Sequence, residues 1–82
     1  MKKYPRFSLV RPNGDMLAHW MYHKAIDPAR LADLAGVGRR TIYRMLNEEG
    51  AIRLSTLAKV AKALDIPPTM LIRSEGGDSD AA

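Results

Sequence analysis

The sequence predicts an all-α domain of five short helices behind an N-terminal arm or short strand. Three observations carry that prediction. Apolar residues recur at helical spacing in successive stretches from residue 13 onward, Gly and Pro fall between those stretches, and the Pro-interrupted N-terminus alone has strand character. At 82 residues, 46% hydrophobic and 27% charged, the chain fits one small domain with a modest core. It has no Cys, so neither a disulfide nor a thiolate zinc site can reinforce that core. Helix packing must supply the stability, with dimerisation as a further source.

Residues 1–12 contain Pro5 and Pro12, which no helix can run through, while Phe7, Leu9 and Val10 permit a short extended segment. Three readings of this segment stay open: a strand that pairs with a second copy, an arm that reads DNA, and disorder. Helix 1 follows, with Asn13 or Asp15 as N-cap and Leu17, Trp20, Met21 and Lys24 in register, ending near His23. Trp20 and Tyr22 are expected to pack rather than to stack on bases. Asp27-Pro28 is a helix start, because Asp accepts from the orphan N–H groups and Pro needs no partner at the first position. Helix 2 then runs to about Ala35, turning Leu31, Leu34 and Ala35 inward, with Ala32 allowing close approach and Gly36 as a left-handed stop.

Gly36-Val37-Gly38 leaves room only for a tight turn before helix 3, Arg39 to Leu46, which buries Ile42, Met45 and Leu46. Two helices joined so closely cross steeply, in a helix-turn-helix. A polar loop, 47–52, precedes helix 4, about Leu54 to Leu64, with Leu54, Leu57, Val60, Ala61 and Leu64 inward and Lys59 and Lys62 outward. Asp65 can take the left-handed position after it, and Pro67-Pro68 opens a last helix through Met70, Leu71 and Ile72. The division expected is therefore an arm or strand over 1–12, the domain over 13–73 and a flexible acidic tail over 74–82.

Charge is unevenly spread. The net charge is +4 and the pI about 9.8, with bases concentrated in the N-terminal segment and in Arg39, Arg40 and Arg44, and acids in Glu75, Asp78 and Asp80. Such a balance favours a polyanionic partner. No apolar run is long enough for a signal peptide or a membrane span, so a cytoplasmic protein without membrane contact is expected. Asp15, His19 and His23 share a helix face, yet one helix spreads them over about 12 Å, too far for one ion; no metal or other cofactor is expected. No nucleophile elbow, phosphate loop or paired carboxylates in a cleft mark an enzyme.

Residues 26–72 resemble the five-helix DNA-binding domain of phage Cro and lambda-repressor type, the XRE helix-turn-helix family. The resemblance rests on Leu31-Ala32-Asp33-Leu34-Ala35-Gly36-Val37, on Ile42 five residues later, and on the leucine-rich stretch from Leu54 to Leu64. It implies a compact, lambda-repressor-like fold whose third helix enters the major groove, in a sequence-specific regulator of double-stranded DNA, a repressor in the first instance. Three positions depart from the family: Asp27-Pro28 replaces a Ser or Thr followed by Gln, Gly38 replaces a Ser or Thr cap, and Met21 and Leu46 replace an Arg–Glu pair.

On that reading Arg39, Arg40 and Arg44 supply guanidinium forks for guanine or phosphate. Gly38 permits close backbone approach, Thr41 and Tyr43 contact phosphate, sugar or a thymine methyl, and Asn47 and Arg53 bond phosphates. Lys2, Lys3 and Arg6 enter the minor groove as an arm. Family and half-site geometry imply a homodimer, with the N-terminal segment and Met70, Leu71 and Ile72 as interface candidates. Two rivals stand beside this: an excisionase-like DNA-bending protein, and an antitoxin or other module whose third helix meets a protein partner.

Overall fold

Asn13 opens the first helix by accepting the Met16 N–H on Oδ1 at 3.1 Å. The computed structural model describes residues 9–73, in the order β1 (Leu9–Val10), α1 (Gly14–His23), α2 (Pro28–Ala35), α3 (Arg39–Leu46), β2 (Ile52–Arg53), α4 (Leu54–Ala63) and a 3-10 helix (Pro68–Leu71). Asp27 caps α2 by accepting the Arg30 N–H at 2.8 Å, with Pro28 in the first turn. Gly36 then ends α2 at φ 73°, and its N–H and that of Val37 return to the Ala32 carbonyl. Asp65 takes the left-handed position after α4, at φ 59°.

The core forms where α2 packs on α3 and α4, and α1 and the 3-10 helix close it from the other side. Leu17 and Met21 come from α1, Leu31 and Ala32 from α2, and Ile42 and Met45 from α3. Leu57, Val60, Ala61 and Leu64 complete it from α4, with Leu71 beneath.

Four expectations are corrected. Leu34 is not inward but 54% exposed. At about 100° per residue it lies roughly a third of a turn from the stripe made by Leu31, Ala32 and Ala35. Tyr22 does not pack; it is 90% exposed, whereas Trp20 is half-buried against the core. The last helix is a single 3-10 turn that stops at Leu71, because Ile72 is drawn into an antiparallel bridge with Pro12. The N-terminal strand finds its partner inside the chain: β1 pairs antiparallel with β2, Leu9 opposite Arg53 and Val10 opposite Ile52. A strand exchanged with a second copy is therefore not needed to satisfy this edge, and Leu71, fully buried, is not available as a dimer face.

One junction ties the two ends of the described chain to the end of α3. The Asn13 N–H donates to the Leu71 carbonyl at 2.8 Å, and the Arg73 N–H to the Arg11 carbonyl at 2.8 Å. Glu48, left-handed at φ 53° just beyond α3, accepts the Gly14 N–H at 2.8 Å and ion-pairs with the Arg73 guanidinium. That guanidinium above all, then the Gly14 N–H, holds the Glu48 carboxyl below the usual glutamate range. Gly14 itself is buried against α3: a Cβ there would lie 2.3 Å from the Leu46 carbonyl oxygen.

Candidate nucleic-acid interface

Every basic side chain of α3 faces solvent, because Ile42 and Met45 take the inward positions of an eight-residue helix. Arg39, Arg40, Tyr43 and Arg44 are exposed, and Thr41 is half-buried between them and the core. None of Arg39, Arg40 and Arg44 makes an ion pair among the described residues. Gly38 is the N-cap, extended at φ −75° and ψ 153°, and nothing lies within 4 Å of where its Cβ would be. The start of α3 thus offers its backbone unobstructed to a large ligand.

Two shallow recesses flank the helix. One is lined by Arg40, Tyr43, Arg44 and Glu49. The other, about 330 Å³, brings Thr41 and Arg44 of α3 together with Ala51, Ile52 and Arg53 of β2, Thr56 of α4 and Leu9 of β1. Two guanidinium-bearing side chains and two hydroxyls around one open recess suit a phosphate. The start of α4 reinforces this, since its N-cap, Arg53, makes no side-chain cap hydrogen bond and the first turn carries the positive end of the helix dipole.

The sequence-predicted residues are distributed as follows. Gly38, Arg39, Arg40, Thr41, Tyr43 and Arg44 form one continuous surface, and Arg53 joins it across the second recess rather than in a loop, since it sits on β2. Asn47 is exposed at the far end of α3, but its side-chain amide donates to Glu49 at 3.3 Å. That places a carboxylate where the sequence reading expects a free phosphate donor. Lys2, Lys3 and Arg6 lie outside the described residues, as does the tail after Arg73. Thr56 is a residue the sequence reading missed, and its one signal is its position in the first turn of α4, directly after the loop that follows α3.

Other features of the surface lead elsewhere. Trp20 lies edge-on between His19 and His23, at ring separations of 5.5 and 5.4 Å, and the two imidazoles stack at 6.2 Å. Its indole Nε1 is enclosed without a hydrogen-bond partner. Among the described residues no group of three His, Cys, Asp or Glu is placed to hold a metal ion, and no helix is long and apolar enough to cross a membrane.

Comparison with known proteins agrees with this geometry. The helix-turn-helix family HTH_3 matches residues 26–71. No curated protein sequence matches the chain. Among solved structures, the restriction-modification controller protein C.AhdI from Aeromonas hydrophila is similar at 28% identity and a TM-score of 0.66, over 70% of this chain and 86% of that one. A helix-turn-helix transcriptional regulator from Vibrio cholerae shares the fold at 19% identity and a TM-score of 0.64, over 70% of this chain and 32% of that one. A hydroxyethylphosphonate dioxygenase is also similar, at 28% identity and a TM-score of 0.68. There 82% of this chain is covered, yet it spans only 14% of the enzyme.

Proposed function

Since the chain belongs to the HTH_3 helix-turn-helix family, we propose that it is a sequence-specific double-stranded DNA-binding transcriptional regulator, acting as a repressor by occupying a promoter. The observation that carries this reading is the α3 surface: Arg39, Arg40 and Arg44 exposed together, with no ion pair among the described residues. In the proposed complex α3 lies in the major groove, and at least one of these arginines reads guanine O6 and N7 bidentately. Arg44, Arg53, Thr41 and Thr56 hold a phosphate in the recess between α3, β2 and α4. Tyr43 rests against the sugar-phosphate chain. Lys2, Lys3 and Arg6 precede Leu9, which lines that same recess, so the N-terminal segment joins the fold on the DNA side and is proposed as an arm along the duplex. Binding as a cytoplasmic homodimer to a pseudo-palindromic site follows from the geometry of one recognition helix per half-site. The work is done by binding, without catalysis, cofactor or membrane.

The test is fluorescence anisotropy with duplex from upstream of the protein's own coding sequence, against a scrambled duplex, over a range of salt. Wild type binds the first more tightly and with a steep salt slope. Arg40→Ala loses about 1–3 kcal/mol and relaxes discrimination, whereas Arg44→Ala and Arg53→Ala weaken both duplexes alike and lower the slope by about 1 each. Binding to neither duplex at low salt refutes the reading and turns attention to a protein partner for α3.

A further inference from the structure

The chain leaves the described fold at Arg73, and that exit is fastened beside the end of α3. The Arg73 guanidinium pairs with Glu48, and the next residue, Glu49, donates its N–H to the Arg44 carbonyl at 2.9 Å. Beyond the exit come residues 74–82, with three carboxylates, Glu75, Asp78 and Asp80, no basic side chain, and Gly76-Gly77 to turn on. Nine extended residues reach about 30 Å, and the eight residues of α3 span about 12 Å. The three acids therefore lie within reach of Arg39, Arg40 and Arg44, which have no ionic partner among the described residues.

We propose that residues 74–82 fold back over α3 and set Glu75, Asp78 and Asp80 against Arg39, Arg40 and Arg44, so that the tail covers the face assigned to DNA; the regulatory meaning, though not the contact itself, rests on the DNA reading. Carboxylates and phosphates compete for the same guanidinium forks. Each tail contact is weak alone, but a short tether holds the acids at an effective concentration in the millimolar range. A duplex carries one charge about every 1.7 Å of its axis and displaces them. The tail then acts mainly against random DNA, whose hold is electrostatic, and less against a site that adds base contacts. If the face is covered about four-fifths of the time, the apparent affinity for DNA is reduced about fivefold.

The contact and its consequence are measured separately in the full-length chain. Because the chain has no Cys, Ala82→Cys gives a unique attachment point for a nitroxide, and amide broadening in the NMR spectrum maps where the tail lies. Broadening centred on Arg39 to Arg44 is expected at low salt, relieved by high salt and by the triple variant Glu75→Gln, Asp78→Asn, Asp80→Asn. In the binding assay at about 50 mM salt that variant holds random duplex about three- to tenfold more tightly than wild type, and the gap closes toward about 200 mM. A control that removes three exposed acids elsewhere, Asp15→Asn, Asp33→Asn and Asp65→Asn, changes affinity less than twofold. Broadening spread evenly, or centred on Lys59 and Lys62 of α4, overturns the proposal, as does a control that tightens binding as much as the tail variant. Broadening on α3 in a chain that binds no duplex upholds the contact and refutes the DNA reading. Duplex binding with no broadening on α3 does the reverse.

Discussion

Gly14→Ala tests the closest approach in the fold. The added Cβ would sit 2.3 Å from the Leu46 carbonyl oxygen and 3.0 Å from the Leu46 carbonyl carbon and the Met45 oxygen, all of them backbone. No side chain can swing away to make room. Ordinary contact begins near 3.4 Å, so the start of α1 and the end of α3 must separate by about 1 Å along that line. The bond from the Gly14 N–H to Glu48, 2.8 Å long, would stretch beyond hydrogen-bonding range. Overpacking of this kind costs about 1–3 kcal/mol, and Ala in a helix returns about 0.5–1 of it. A net loss of about 1–2 kcal/mol, with the broken bond adding to it, lowers Tm by roughly 5–15 °C in a domain of this size. Thermal and urea unfolding followed by circular dichroism measure it. Gly38→Ala is the matched control, since its Cβ meets nothing within 4 Å, and it should stay within about 0.5 kcal/mol of wild type. A Gly14→Ala protein that melts at or above wild type would refute the packing argument.

Three further outcomes are expected. Glu48 has its pKa lowered in the folded state, chiefly by Arg73 and then by the Gly14 N–H. Its stabilisation is therefore fully present above the ordinary value of 4.5 and is lost as pH falls through the lower folded value. Glu48→Gln should reduce stability at neutral pH and flatten the acid limb of the stability profile, and an unchanged acid limb would exclude this pair as its source. Left-handed positions should respond with opposite signs: Gly36→Ala, at φ 73°, loses about 1 kcal/mol, while Ala25→Gly, at φ 54°, is neutral or gains up to about 1. Chemical denaturation of the two variants side by side decides it. Finally, Leu31→Ala should cost about 2–5 kcal/mol and Leu34→Ala less than about 0.5, since one is fully buried and the other 54% exposed; equal losses would mean that α2 is seated differently.

What could be read from the sequence was local. Asp27-Pro28, Gly36 and Asp65 announce helix ends through backbone chemistry that needs no partner from elsewhere, and all three act as expected. The inward residues of α4 follow from spacing over a helix long enough to define a stripe. In α2 only eight residues are available, and Leu34 satisfies the same spacing while facing outward. β1 and β2 are two residues each and show no alternation, so their pairing, like the bond between Gly14 and Glu48 across 34 positions, arises only when α1, α3 and α4 have assembled. The candidate site divides the same way. The arginines of α3 were legible because one helix presents them together, whereas Thr56 joins Arg44 only through the meeting of α3, β2 and α4.

The bond between the Arg73 N–H and the Arg11 carbonyl, with the Pro12 and Ile72 bridge beside it, has a topological consequence. The described unit enters and leaves at one point, like a loop drawn closed at its neck. A unit with adjoining ends can be spliced into a surface turn of a larger protein, or circularly permuted, without stretching either host or guest. Its likeness to a stretch amounting to 14% of a dioxygenase chain is what such a portable module would leave behind. Joining residues 11 and 73 through a short linker and opening the chain at the turn around Gly50 would make that portability a property one can test at the bench.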